Sequence, residues 1–380
     1  MLHPLPTDPI AAVAHPDPYP YYAALRSRGS LQRDEALGLW VAVGADVVER
    51  LLREPAGRVR PPAEPVPRFL LGTRAGAVFG TLARMNDGDR HAAQRLHVEA
   101  LLHRTDGAEA AADVVRIADD MARPWLHDGD VGALDDIIRD LPTTVVAAAL
   151  GVPEAEQPAV VRATAAWVAG LSARADDAAR AAAIVAMDRL LDHLSALGVA
   201  DADDAAAQVA LLMQPHEATA GWIGAGVLRL ARDAALRDAV LAGALDIKAF
   251  GAEVLRHDPP VQNTRRTLAA DVAIADCLLR SGETVLIVLA AAERDPRRHA
   301  EPDRFRLDRP RLPSLVLGAG RHRCPGGSFA LRIACAAWRA MTTGARPEAF
   351  AALVERVRWL PSANVRRPVF GAAVGPGCAM

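Results

Sequence analysis

The strongest structural signal in this chain is the stretch Leu317-Gly-Ala-Gly-Arg-His-Arg-Cys324-Pro-Gly-Gly327. It places one cysteine in a glycine-rich turn, directly before an apolar helical pattern that runs from about Ser328 to Trp338. Glycines such as Gly318 allow positive φ angles and let the backbone approach a flat ligand closely. The N-terminal N–H groups of the following helix, together with the cations beside the cysteine, favour a thiolate. A single thiolate held in this way suits axial ligation of a heme iron.

The alternative interpretation is a structural cysteine after an ordinary turn, which a cysteine alone would favour. The combined spacing of the glycines, His322 and Cys324 argues against it. The stretch resembles the heme-binding signature of the cytochrome P450 family, Phe-Gly-x-Gly-x-His/Arg-x-Cys-x-Gly. The resemblance implies that Cys324 ligates the iron of heme b, that His322 binds a heme propionate and that Gly318 belongs to the binding turn. Leu317 replaces the opening aromatic residue, which implies a looser pocket beside the ligand.

Composition limits the classes of protein to which this chain can belong. The 380 residues can form one large domain, and they are 51% hydrophobic but only 4% aromatic, with abundant alanine and leucine that favour helices. A net charge of −2 gives no argument for nucleic acid or an anionic membrane as a partner. The four cysteines show no paired spacing, and no run of 18 uninterrupted apolar residues or signal pattern is present. We therefore expect a soluble protein of a reducing cytoplasm, and the usage of Arg over Lys indicates a bacterial source.

A possible carboxylate-binding site occurs in Met85-Asn-Asp-Gly-Asp-Arg-His91-Ala-Ala-Gln-Arg95. His91 and Arg95 are four residues apart and would share one face of a helix. Taken alone, this pattern is more typical of a solvated helix face. It resembles the His-x-x-x-Arg element of the cytochrome P450 family, which implies that both residues bind a propionate, although Gly88-Asp89 replaces the usual prolines.

A long apolar helix is predicted over Val209–Leu230, with a proline that should kink it. It contains the segment Gln214-Pro215-His216-Glu217-Ala218-Thr219, where an acid among apolar neighbours needs a reason. A Glu turned to solvent is the alternative. The segment resembles the central helix of the family, Ala-Gly-His-Glu-Thr-Thr-Ala, in which the acid and the following threonine deliver protons. Ala218 replaces that threonine, so Glu217 and Thr219 are the predicted catalytic residues, with water or a substrate hydroxyl completing the relay.

An opposite-charge pair, Glu253 and Arg256, is spaced for one helix face and would by itself be a common surface pair. It matches the Glu-x-x-Arg pair of the family, and Arg304 matches the third member of that structural network. Arg266 matches the second propionate-binding arginine, with Arg265 as the competing choice. The segments 261–264 and 363–364 would line the substrate pocket.

Local patterns make further predictions along the chain. Pro61–Gly80 should be a loop, and Gly151 should end one helix before Pro153 opens the next. Two strands are predicted at Val272–Leu279 and Thr284–Leu289, around the turn at Gly282. Relative to bacterial family members, residues 193–209 look about twenty residues short, so part of the cover over the site is expected to be missing.

The resemblance extends from about Tyr19 to Val369 and implies the mainly helical triangular prism of the family, with a small β-rich region, as one domain over residues 1–380. The implied activity is monooxygenation of a small or medium organic molecule, free or bound to a carrier protein, in bacterial secondary metabolism. Electrons would come from a ferredoxin docking at Arg321, Arg323 and Arg332, and we expect a monomer. Two alternatives stay open: an oxidase that uses peroxide or couples radicals, and a non-catalytic heme sensor or carrier.

Overall fold

A computed structural model describes residues 4–371 of the chain, and most of these residues are helical. Within the described residues, the α-helices are α1 (Tyr19–Ser27), α2 (Ala45–Arg53), α3 (Arg74–Thr81), α4 (Gly88–His103), α5 (Ala108–Asp128), α6 (Val131–Ala149), α7 (Gln157–Gly170), α8 (Asp177–Ala196), α9 (Ala202–Arg232), α10 (Ala234–Leu241), α11 (Ile247–His257), α12 (Leu289–Glu293), α13 (Gly327–Thr342) and α14 (Pro347–Arg356).

The strands are short. Those within the described residues are β1 (Leu31–Asp34), β2 (Leu39–Ala42), β3 (Gly57–Arg58), β4 (Thr264–Leu268), β5 (Val272–Ile274), β6 (Cys277–Leu279), β7 (Thr284–Ile287), β8 (Arg358–Trp359) and β9 (Pro368–Val369). The largest sheet has the order β1-β2-β7-β4-β3, and β5-β6 and β8-β9 form separate pairs. The predicted fold class, mainly helical with a small β region, is confirmed.

The central helix of the molecule is α9. Its N-cap is Asp201, whose carboxylate accepts hydrogen bonds from the N–H groups of Asp203 and Asp204. Apolar residues are buried around its whole circumference from Ala220 to Leu228, as expected for a helix in the core of a large domain. The helix remains one element across Pro215. Because proline lacks an N–H group, the carbonyl of Leu211 loses its helical donor there.

The cysteine turn reaches the core through α13. The Trp338 side chain lies against α9, where its Nε1 donates a hydrogen bond of 2.9 Å to the carbonyl oxygen of Ile223. A Cβ atom at Gly226 would lie 2.2 Å from that Nε1, so only glycine permits this contact. The start of α13, and with it the cysteine turn, is therefore fixed relative to α9.

Local predictions differ from the structure at three places. The second half of Pro61–Gly80 forms α3, capped by the Thr73 side chain, because its prolines end at Pro67. Pro153 does not open a helix; α7 begins at Gln157. The predicted strand at Val272–Leu279 is a hairpin of β5 and β6 that reverses at Ala275, whose φ is +51°.

In the region that looks short, residues 197–201 alone join α8 to α9, and α7 packs against α8. The loss of cover stays a prediction. The sequence of residues 357–373 also predicts short strands. The structure contains β8 and β9 there, and residues 372–373 lie outside the described part. In the described part of the chain, no helix combines the length and apolarity needed to cross a bilayer.

Candidate active site

The turn before Cys324 is closed by backbone geometry that requires glycine. Gly318 and Gly320 have φ angles of +76° and +66°. The Cys324 N–H donates a hydrogen bond of 2.7 Å to the carbonyl oxygen of Leu317. A Cβ atom at Gly327 would lie 3.0 Å from Leu317 Cδ1, so this leucine packs tightly against the start of α13.

The Cys324 side chain faces an internal cleft, since water can reach it although protein surrounds the sulfur. Burial raises the pKa of its thiol, while the Gly326 N–H, hydrogen-bonded to the sulfur, and nearby arginines oppose the increase. The sequence predicted that the turn itself would favour thiolate; burial outweighs that effect. A coordinated metal ion deprotonates a thiol outright, so the thiolate form requires the iron.

Two histidines lie together at one end of this cleft. The ring centroids of His91 and His322 are 4.2 Å apart. His322 Nε2 lies 2.9 Å from Asp87 Oδ1, and Asp87 also accepts from the Val59 N–H and from Arg321. Burial lowers the pKa of His91 to about 4, and burial also lowers the pKa of His322 despite its hydrogen bond to Asp87. Near neutral pH both rings are uncharged, and each can donate one N–H.

Arg95 and Arg266 approach the same end. The Arg95 guanidinium donates to the carbonyl oxygens of Arg321 and Arg323 and forms an ion pair with Glu99, so it braces the cysteine turn. Arg266 is buried, whereas Arg265 is exposed. The Arg266 guanidinium bonds only through Nη1, to Arg265 O and Thr264 Oγ1, which leaves its other nitrogens without a protein partner among the described residues.

These residues fit a heme b. Cys324 offers a single sulfur ligand for iron, with a backbone N–H directed at it. The unused donors of Arg266, and of His91, which makes no hydrogen bond to any residue in 4–371, match two propionates. All five predicted contact residues, His91, Arg95, Arg266, His322 and Cys324, lie at one cleft, beside the turn that contains Gly318.

Helix α9 contributes the acid. Burial raises the pKa of Glu217 above its ordinary value of 4.5, and Arg367 and Arg84 oppose that rise. Burial lowers the pKa of Arg84, and the charges of Cys324 and Glu217 oppose that effect. Thr219 is buried, and neither it nor Glu217 forms a hydrogen bond through its side chain to another described residue. His216 points to α6 instead, where Nδ1 lies 3.0 Å from Thr143 Oγ1.

The two segments predicted to line the pocket lie side by side. The Asn263 side chain donates to the Ala363 carbonyl at 2.9 Å, and the Gln262 N–H donates to the Asn364 carbonyl at 2.8 Å. A β-bridge also joins Val261 to Val365.

The Glu253–Arg256 pair is buried and doubly hydrogen-bonded, at 2.7 Å for each bond. The predicted third member, Arg304, is wrong: its side chain is 72% exposed and pairs with Glu301. Arg309 takes that place, with Nε 3.1 Å from Glu253 Oε1 and a side chain only 10% exposed. The chain reverses around Glu301, whose φ is +47°, and this reversal brings Arg309 back to the pair.

The expected docking cations are not equally available. Arg321 is directed inward, where it donates to the carbonyl oxygens of Glu54 and Gly57. Arg332 bonds to Thr105 and Asp106. Arg323 is exposed.

Sequence reasoning missed two residues of this region with a clear role in the geometry. Asp87 anchors His322 and Arg321, and its position directly before α4 was a signal that could have found it. Arg84 lies in the 3-10 turn Ala83–Met85, where no local pattern marks a functional cation.

Comparisons with known proteins agree with this geometry. A family model described as cytochrome P450 matches residues 247–334. The cytochrome P450 monooxygenase PikC of Streptomyces venezuelae is 29% identical over 92% of this chain and 89% of its own length. The crystal structure of CalO2 matches with a TM-score of 0.80 and 23% identity, covering 97% of this chain and 99% of that one. P450BioI in complex with an acyl carrier protein ligated to hexadec-9Z-enoic acid matches with a TM-score of 0.73 and 20% identity, over 93% and 98%.

Proposed function

Because the chain belongs to the cytochrome P450 family and is a monooxygenase with heme b as its cofactor, we propose that it oxidises a small or medium organic molecule of bacterial secondary metabolism. The observation that supports this proposal is the glycine turn at Cys324, whose Gly318 and Gly320 have positive φ angles and whose His322 ring lies 4.2 Å from that of His91. We assign the activity to one domain over residues 1–380.

The cofactor is held from two directions. Cys324 would provide the sulfur that holds the iron, and the Gly326 N–H directed at that sulfur would limit its negative charge. His91 and Arg266 would donate to the propionates, and His322, whose N–H is directed at Asp87, would lie beside them. Arg95 would brace the turn through two backbone carbonyls. When bound, heme b supplies the activation of O2 that places one oxygen atom in the substrate and releases the other as water.

Protons for this reaction come from the α9 side of the cleft. Glu217 has a raised pKa, so it exchanges protons closer to neutral pH than an exposed glutamate does. Thr219 supplies the nearby hydroxyl, and ordered water or a hydroxyl on the substrate takes the place that Ala218 leaves without one. Because protein surrounds the site, bulk water does not exchange protons freely with the relay.

The relatives indicate the class of substrate only in broad terms. PikC and CalO2 are bacterial proteins of this fold, and P450BioI binds a fatty acyl carrier protein. Both a free small molecule and a carrier-bound acyl group therefore remain within the proposal, and the adjoining segments 261–264 and 363–365 are the walls that would select between them.

Electrons come from a ferredoxin-type donor in the cytoplasm, because the chain has no flavin or iron–sulfur motif. The exposed Arg323 lies directly before Cys324 and is the cation best placed to contact an acidic partner. Arg321 instead donates hydrogen bonds within the protein. We propose that the enzyme acts as a monomer.

Carbon monoxide binding to the reduced holoprotein tests the core of this proposal. The wild type should give the red-shifted Soret band of thiolate ligation, and Cys324→Ala should lose it. Cys277→Ala is the matched control, because this half-buried cysteine lies on β6 in a separate hairpin. A wild type without that band, or a band that survives in Cys324→Ala, would end the proposal.

A second function is favoured by Ala218 and the neighbouring Gln214-Pro215: oxidation that uses peroxide in place of O2 and a reductase. Once a substrate is found by spin-state shifts in a compound library, product formation with hydrogen peroxide is compared with that supported by ferredoxin, its reductase and NADPH. Turnover with peroxide alone would select the second function, and turnover with the reductase system alone would exclude it.

A further inference from the structure

A buried arginine outside the cysteine turn joins distant segments of the chain. The Arg366 side chain is 2% exposed, and its Nε donates a hydrogen bond of 2.9 Å to Asp258 Oδ1, directly after α11. Its Nη1 and Nη2 atoms donate to the carbonyl oxygens of Val13, His15 and Pro16 at 3.0, 2.6 and 3.1 Å. The guanidinium therefore ties residues 13–16, which we call the N-terminal brace, to the end of α11.

The main chain of Arg366 adjoins the two segments, 261–264 and 363–365, that we call the pocket wall. Its N–H donates a hydrogen bond of 2.7 Å to the carbonyl oxygen of Pro260, beside the β-bridge that joins the two segments. The backbone of this one residue is thus bonded to the wall, while its side chain is bonded to the N-terminal brace. A movement of the brace would therefore be passed to the wall.

Two tyrosines of α1 strengthen this attachment. Tyr22 is fully buried, and its hydroxyl donates a hydrogen bond of 3.0 Å to Oε1 of Gln262 in the wall. The Tyr19 hydroxyl donates to Asp258, the same carboxylate that accepts from Arg366. Buried polar groups are costly to leave without partners, so these bonds hold the wall firmly from its N-terminal side.

The wall in turn lies against α9. A Cβ atom at Gly221 would be 2.7 Å from the carbonyl oxygen of Arg366 and 2.8 Å from Pro260 Cβ, so only glycine permits this close approach. Gly221 comes four residues after Glu217, and residues at this spacing share one face of a helix. The wall therefore meets the face of α9 that carries the acid, and a shift of the wall would change the space beside Glu217.

We propose that Arg366 is a positioning residue for substrate binding, which holds the pocket wall at a fixed distance from α9 and uses the N-terminal brace as its support. This rests on the proposed function above, which places the substrate beside that wall. An arginine suits this role because its planar guanidinium donates several hydrogen bonds in fixed directions. Without it, Asp258 would lose a donor and three carbonyl oxygens of the brace would lose theirs, so the wall would lose its support.

Two small ligands can separate the wall from the iron site. Imidazole and 4-phenylimidazole both ligate ferric heme iron through nitrogen and shift the Soret band to the red, but only the phenyl ring extends towards the wall. In the wild-type holoprotein, 4-phenylimidazole should bind more tightly than imidazole. Arg366→Met should lower this preference about 10-fold, because a displaced wall makes fewer contacts with the ring, and should change the Kd of imidazole by less than about 2-fold. Arg366→Lys, which keeps a cation near Asp258, should keep part of the preference.

The matched control is Arg309→Met, which removes a nearly buried arginine from the network around Glu253 and should keep the wild-type preference. Gly221→Ala displaces the wall from the side of α9 and should lower the preference although Arg366 is intact. The proposal is overturned if Arg366→Met keeps the preference, or if Arg309→Met lowers it equally. If Arg366→Met does not fold, Arg366→Lys and Gly221→Ala decide, and an unchanged preference in both overturns the proposal. A missing thiolate band in the reduced CO complex would instead defeat the proposed function itself.

Discussion

Two groups of enclosed charges in this molecule are built in opposite ways. Around Glu253, both carboxylate oxygens are bonded, to Arg256, Arg309 and a backbone N–H, and Arg256 also donates to three carbonyls. Around Glu217, neither the acid nor its two arginine neighbours, Arg84 and Arg367, has a hydrogen-bonded side-chain partner among residues 4–371. Both groups of charges lose hydrogen bonds to water on folding, but only the group around Glu253 replaces them with hydrogen bonds to protein.

The difference separates scaffold from site. The network around Glu253, in which every charge is paired, holds α11 to the segment that leads to the cysteine turn. Its contribution to stability is lost when one member is removed. Charges left unpaired at a cleft cost stability and keep their hydrogen-bonding capacity for a ligand or a proton. The pKa directions follow the same division: hydrogen bonds from Arg256 hold the pKa of Glu253 low although burial opposes them, whereas burial dominates at Glu217.

The largest expected effect comes from breaking the paired network. Arg256→Met should lower the free energy of unfolding by about 3 to 5 kcal/mol, because Glu253 would remain buried with an incomplete set of donors. Chemical denaturation of the holoprotein, followed by tryptophan fluorescence and heme absorbance, measures the loss. A loss below about 1 kcal/mol would mean that the pair is not the structural element described here.

A smaller effect distinguishes two arginines five positions apart. Arg309→Met should cost about 2 to 3 kcal/mol, since its guanidinium is nearly buried against Glu253. Arg304→Met should change stability by less than about 0.5 kcal/mol, since Arg304 is exposed with Glu301. Equal costs for the two substitutions would show that the network extends to both side chains.

These two arginines also mark how far the sequence could predict the structure. The Cys324 turn, the helix of His91 and Arg95, and the long α9 were predictable because each depends on spacing within one segment. The choice of Arg266 over Arg265 rested on its spacing to Asp271, which also lies within one segment. Arg309 was not, because the reversal near Glu301 occurs at a non-glycine residue with positive φ and leaves no sequence signal.

Arg84 shows a second limit. Its sequence neighbours predict neither a helix face nor a motif, and its importance lies in what it does not contact, which only the tertiary structure reveals. The prediction of one strand across Ala275 was wrong for a related reason. Alternating residues predict a single strand, and a tight reversal without glycine does not interrupt that pattern.

Moderate acid should lower stability through the buried His216 before it weakens the paired network. Burial lowers the pKa of His216, next to Glu217, to about 4 from 6.5. Between these values the unfolded chain binds a proton that the folded one does not, so stability falls as the pH decreases from 6.5 towards 4. For His216 alone we expect a loss of about 1 to 2 kcal/mol between pH 7 and pH 5. The pKa of Glu253 lies below 4.5, so its network loses stability only in stronger acid.

Denaturation curves of His216→Gln measure this contribution. The glutamine can keep the contact with Thr143 but cannot take up a proton, so the variant should lose less stability than the wild type over the same pH range. Parallel curves would assign the acid sensitivity to other groups, such as His91 and His257, whose pKa values burial also lowers to about 4.

Glu217→Gln should change stability in the opposite direction, as a gain. The folded state raises the pKa of Glu217, so its favourable protonation is fully present below the ordinary value of 4.5 and is lost as the pH rises through the folded value. Glutamine escapes that loss. The variant should therefore match the wild type in stability below pH 4.5 and exceed it at higher pH. Its turnover should fall about 100-fold, the usual contribution of a proton-transfer group. A variant that is less stable at pH 8 would place Glu217 with the scaffold, and unchanged turnover would move the proton route to Thr219 and water.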